Sequence, residues 1–159
     1  MPLVFALSGV VTSILGLILP FASRLTKNPL TKTIARETMT VSEWGRQHDA
    51  AREIGGDGYA FFSAARGFAW VIAIAAGVVL LLLLLSRFVH RSAELHWTVA
   101  CTGVLLAFAS VVSFVCAVLF AVSAGGEGTR VLLSAGAYLT LSGGIVVGIS
   151  AFLAVRRAL

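Results

Sequence analysis

The stretch Gly67 to Ser86, GFAWVIAIAAGVVLLLLLLS, decides the fold. It holds no Asp, Glu, Lys, Arg or His and ends in six consecutive leucines, Leu80 to Leu85. About 20 uncharged apolar residues, rising 1.5 Å each as an α-helix, cross a hydrocarbon core of about 30 Å. Three further blocks share this character: Leu3 to Ala22, Thr98 to Ser123 and Val131 to Val155. Composition agrees. The chain has 159 residues, 58% of them hydrophobic and 12% charged, where a soluble domain carries about 25% charged residues. The mean hydropathy is +0.98. The sequence therefore predicts an all-α membrane protein: a four-transmembrane-helix bundle forming a single membrane domain over residues 1–159. Its helices are expected at about 3–22, 67–86, 98–123 and 131–155, with a long first loop at 23–66.

The first block could be mistaken for a signal peptide, but it is longer than a usual apolar signal core and has no basic start; no Lys or Arg precedes Arg24. It reads as a retained helix. Orientation follows from the loops. Arg87, Arg91, Arg156 and Arg157 lie on one side and Arg130 on the other, which places both termini inside by the positive-inside rule. The first loop opposes this with Arg24, Lys27, Lys32, Arg36, Arg46, Arg52 and Arg66, partly offset by Glu37, Glu43, Asp49, Glu53 and Asp57.

Helices in lipid associate through close packing of small residues. Each block carries such residues at four-residue spacing: Gly9 and Ser13; Ala69, Ala73 and Gly77; Ala109, Ser113, Ala117 and Ala121; Gly136, Thr140, Gly144 and Gly148. One reading is packing within the bundle. The other is that the Gly136 to Gly148 face docks a partner helix.

The net charge of +5 and the basic residues beside the membrane ends fit contact with anionic lipid headgroups rather than nucleic acid. Arg66, Arg87, Arg91, Arg156 and Arg157 are the residues expected there. Arg66, one turn before Trp70, reads as a snorkelling interface residue or as the partner of a loop acid such as Asp57.

In the first loop, Thr40 and Glu43 have capping-box spacing, and Gly55–Gly56 is a helix stop. A short helix is expected at about 41–54, with Trp44 at headgroup depth. The segment Lys27 to Lys32, with Pro29, reads as an extended linker. The stretch TVSEWGRQHDA, Thr40 to Ala50, resembles the first-loop signature of amastins, four-helix surface proteins of trypanosomatid parasites similar in plan to claudins. Val41, Ser42, Trp44, Gly45, Gln47 and Asp49 fit that signature. Thr40 and Ala50 stand where the family has its cysteines, and Glu43 replaces an apolar residue. The stretch FFSAARGFAW, Phe61 to Trp70, also looks like the family's lead-in to the second helix. The resemblance implies a four-helix surface or vesicle protein. The missing cysteine staple shifts the expectation towards a component of an assembly.

No catalytic constellation emerges. Cys101 and Cys116 share one helix about 22 Å apart along its axis, too far to pair, and read as packing residues. His48, His90 and His96 lack metal-ligand spacing. The GGDG at Gly55 and GGEG at Gly125 have neither a preceding strand nor a P-loop lysine. Pumps and coupled transporters need ionisable groups at membrane depth, and none of the four blocks has one. Thr12, Ser13, Ser110, Ser113, Thr140 and Ser142 offer only a narrow polar path. The expected function is a non-catalytic structural or accessory subunit of a larger membrane assembly, one version being a mitochondrial respiratory or ATP-synthase complex. No cofactor is expected; the partners are other membrane subunits and anionic lipids. The alternatives are the amastin-like surface or vesicle protein and an oligomeric channel.

Overall fold

Pro20 ends the first helix earlier than its hydropathy suggests. Proline has no N–H to donate, and its ring crowds the preceding turn, so a helix stops before it. In the computed structural model, which describes residues 2–27, 32–41, 59–88, 93–125 and 129–156, helix α1 covers Pro2–Ile18. Leu19 N–H closes the final turn on the Leu15 carbonyl at 2.9 Å. The apolar residues past the proline, expected to be helical as far as Ala22, lead instead into strand β1 (Ala22–Lys27).

The fourth block divides in the same way. Val131 to Leu133, expected in the helix, belong to strand β3 (Thr129–Leu133), and the last helix, α4, is Ala135–Arg156. An apolar strand running into an apolar helix leaves no break in hydropathy, which is why periodicity alone merges them. Ser134 marks the junction, a position where serine is favoured as a helix cap.

Strand β2 (Ile34–Met39) completes a three-stranded antiparallel sheet of order β2–β1–β3. Ala22 pairs with Met39 on one side and Leu133 on the other; Thr26 pairs with Ala35 and Thr129. The chain is mostly helical, as expected, with one small sheet that was not: the first loop and the segment before α4 join in it at an end of the bundle. Lys27, expected in a linker, is the last residue of β1. Of the helix expected at 41–54, only Val41 falls within the described residues.

Helices α2 (Tyr59–Phe88) and α3 (Ala93–Ser123) run beyond their expected bounds of 67–86 and 98–123. The extra turns of α2 bring Phe62 and Ala65 into the core. Glu94 in the first turn of α3 and Arg156 in the last turn of α4 sit where the helix dipole favours their charges. Three helices, α2, α3 and α4, are long and apolar enough to cross a membrane; α1 is shorter.

Helix α4 packs between α1 and α3, and α2 packs on α3 and closes against α1. The core has two parts. At the sheet end, Phe62 and Phe120 meet with ring centroids 5.0 Å apart, beside Phe21, Val41, Ala65, Val131 and Ala137. The far end is built on Ile72, Val79, Leu106, Val147 and Ala151. The outward faces carry large apolar side chains such as Phe5, Ile74, Leu105 and Phe152.

Candidate functional site

The small residues of α4 form two seams, one for each neighbouring helix. Towards α1, a Cβ on Gly136 would stand 2.7 Å from the carbonyls of Gly16 and Leu19 and 2.9 Å from that of Pro20. Gly16 in turn faces Thr140, and Gly9 faces Val147 and the Gly143 carbonyl. Gly143 lies against Ser13 and the Gly9 carbonyl. The two backbones thus approach as closely as glycine permits.

Towards α3, a Cβ on Gly144 would run into the Ser110 hydroxyl, and one on Gly148 would stand 2.7 Å from the Gly103 carbonyl. Adjacent glycines 143 and 144 point to different helices because successive helical residues are turned by about 100°. Gly136, Thr140, Gly144 and Gly148 are all buried against helices of the same chain. Gly16, Gly103 and Gly143, which are not in the stripes named from the sequence, complete the seams. A spacing of three or four, rather than strictly four, was the signal that would have found them.

The same arithmetic corrects the α2 stripe. Steps of four drift by about 40° each, so Ala69, Ala73 and Gly77 leave the buried face progressively. Ala69 is fully buried, Ala73 is partly buried against the core, and Gly77 has nothing within 4 Å of a Cβ position. The buried line is Phe62, Ala65, Ala69, Ile72, Ala76 and Val79, alternating threes and fours. On α3, Ser113 and Ala117 are buried, while Ala109 packs at the margin of the far cluster. Ser113 donates to the Ala65 carbonyl at 3.2 Å, a bond from α3 to α2.

Most other hydroxyls in the helices turn back on their own backbone. Thr12 donates to Ser8 C=O (2.7 Å), Ser110 to Leu106 C=O (2.8 Å), Thr140 to Gly136 C=O (2.9 Å) and Ser150 to Val146 C=O (2.7 Å). Ser13 differs: its Oγ is buried and has no hydrogen-bond partner among the described residues.

The sheet is tied to this seam by backbone bonds. Gly136 N–H donates to Pro20 C=O at 2.8 Å and Ser134 N–H to Phe21 C=O at 2.9 Å, so carbonyls after α1 satisfy donors at the start of α4. The Ser23 and Ser134 hydroxyls share a 2.6 Å bond across the same junction.

Strand alternation gives the sheet two faces. The inner one brings Ala22, Val131 and Leu133 onto the bundle. Arg24 shares it, with its Nε buried and unpartnered among the described residues. On the outer face, register aligns Arg36, Leu25 and Arg130 across the three strands. Lys27, Arg36 and Arg130 are exposed there beside Ile34 (68% exposed) and Leu132 (52%).

Of the loop motif, Val41 is buried in the sheet-end core; Ser42, Trp44, Gly45, Gln47 and Asp49 lie outside the described residues. Arg66 is half-buried on α2 and Arg156 exposed on α4. Arg91, Arg157 and the side chain of Arg87 lie outside what is described. Cys101 and Cys116 are free thiols. Among the described residues, no group of three His, Cys, Asp or Glu is placed to hold a metal. No protein-family model, curated protein or solved structure matches this chain.

Proposed function

We propose that this chain is a non-catalytic accessory subunit of a larger membrane assembly. In this reading all four helices cross the bilayer. α1, with 17 residues, reaches about 25 Å, at the short end of what spans a membrane. Its outward side chains Val4, Phe5, Leu7, Val11 and Ile18 suit lipid, and its glycines hold it against α4.

The observation that carries the proposal is the outer face of the sheet. Three cations, Lys27, Arg36 and Arg130, are exposed on this one face, which is made from two loops, and the row Arg36–Leu25–Arg130 lies between exposed Ile34 and Leu132. A cluster of positive charge on one exposed face selects an acidic partner. Hydroxyls bonded to their own helix and the uncharged middle stretches of the helices favour this reading over a transport path.

The test is native-gel separation of mildly solubilised membranes, with mass spectrometry of the band containing the chain. Co-migration with a large, defined set of proteins is expected, and Arg36→Glu with Arg130→Glu should release the chain from it. Migration alone, or as a small homo-oligomer, would overturn the proposal.

A further inference from the structure

A groove of about 570 Å³ opens sideways between α1 and α2. Ile14, Leu17 and Ile18 form its α1 wall, and Trp70, Ala73 and Ile74 form its α2 wall. Its size falls within the range of small-molecule sites, about 300–1,000 Å³. Both walls belong to faces that look outward: Ile18, Trp70 and Ile74 are 64%, 45% and 66% exposed. The groove is therefore open to whatever surrounds the bundle rather than sealed within it.

Its two ends differ chemically. The end towards the middle of the bundle is aliphatic. The other end lies under the sheet, where Thr40, the residue after β2, enters the lining. Arg66 lies one turn nearer the sheet than Trp70 on the same helix. At about 100° per residue, Arg66, Trp70 and Ala73 fall within about 60° of one another around α2. Arg66 is half-buried and makes no ion pair with any described residue. Helix geometry thus places one cation a turn beyond the lining, on the side of the groove's polar end, at the level where helices give way to sheet.

We infer that this groove holds one acyl chain of an anionic phospholipid from the surrounding bilayer, with the headgroup phosphate on the Arg66 guanidinium. The charge complementarity is that of a basic residue at a membrane boundary. An arginine suits a phosphate because its planar donors match the oxygens in pairs. A helix of another protein would fill the apolar walls equally well but would leave Arg66 without an anion. The inference rests on the membrane-spanning reading of the bundle and on nothing about its partners.

The test uses the full chain with Trp44→Phe and Trp97→Phe, so that Trp70 is the sole reporter. It is reconstituted into phosphatidylcholine nanodiscs containing either brominated phosphatidylglycerol or brominated phosphatidylcholine at equal mole fraction. Quenching of Trp70 should show a roughly fivefold preference for the anionic lipid, the scale expected of one arginine at a membrane surface. Arg66→Gln should abolish the preference, Arg66→Lys should keep part of it, and Ala73→Leu should weaken quenching by both lipids. Equal quenching in the parent protein overturns the inference while leaving the bundle in the membrane. Quenching by neither lipid overturns it too: with a homo-oligomer on a native gel it assigns the groove to a second copy, and with a monomer it removes the membrane-spanning reading as well. The comparison of two lipids in the parent protein decides the matter even if the Arg66 variants fail to fold.

Discussion

Gly136 donates its N–H to the carbonyl of Pro20 at 2.8 Å, and the position its Cβ would take lies 2.9 Å from that same oxygen. The bond and the close approach depend on each other. Three backbone carbonyls crowd that position, and backbone cannot swing aside as a side-chain tip can. Gly136→Ala should therefore destabilise the bundle by about 3 kcal/mol, the upper end of ordinary overpacking costs. Gly77→Ala is the control. Its new methyl meets open space, so stability should hold or rise by up to about 1 kcal/mol from helix propensity. Denaturation in detergent micelles compares them, and equal losses would contradict the packing.

Gly144 and Ser110 should behave as a coupled pair. A methyl on Gly144 collides with the Ser110 hydroxyl, which is itself bonded to Leu106 C=O at 2.8 Å. Gly144→Ala should destabilise, Ser110→Gly should cost less, and the double variant should recover part of the loss. A coupling of about 0.5–3 kcal/mol is expected for residues in contact. Strict additivity in the cycle would show that the two helices do not meet there.

Two buried serines should respond oppositely to alanine. Ser13 Oγ has no partner among the described residues, and an unbonded buried hydroxyl costs about 1–3 kcal/mol. Ser13→Ala should leave stability unchanged or raise it. Ser113 donates to Ala65 C=O on α2, so Ser113→Ala should lose about 0.6 kcal/mol, the average for interhelical bonds in membranes. Unfolding midpoints of the two variants, measured side by side, would have to reverse order to refute this.

The sheet can be checked by crosslinking. Thr26 and Thr129 are directly opposed in β1 and β3. Antiparallel partners lie about 4.5–5.5 Å apart at Cα, within disulfide reach. In a background with Cys101→Ala and Cys116→Ala, Thr26→Cys with Thr129→Cys should oxidise readily. The shifted pair Leu25→Cys with Thr129→Cys should not, because the two side chains face opposite sides of the sheet. Mass spectrometry of trypsin digests reads the outcome, and efficient bridging of the shifted pair would refute the register.

Particular residues show where sequence reasoning carried and where it stopped. The Leu80 to Leu85 run and the uncharged stretches around it were enough to place α2, α3 and most of α4, because an uninterrupted apolar stretch has few other stable forms. The failures lie at the boundaries. Val131 to Leu133 are as apolar as the helix that follows, and only pairing with Ala22 to Arg24 makes them a strand. No local signal distinguishes the two, since the hydrogen bonds that decide it come from more than 100 residues away in the chain. At the end of α1 the physical cause is Pro20, which cannot donate to the helix ladder, while the apolar residues on both sides of it leave no break in hydropathy.

Residue type was enough to make the apolar helices legible in the sequence, since it alone sets solvation, but not to say which glycines meet a helix: Gly136, Gly144 and Gly148 do, whereas Gly77 faces open space. Which helix each glycine serves is a different matter. Gly143 faces α1 and Gly144 faces α3 because α4 is enclosed on two sides. Arg36 and Arg130 come to share one outer face because β1 pairs on both edges. Those arrangements arise from contacts between segments distant in the chain, and only the tertiary structure decides them.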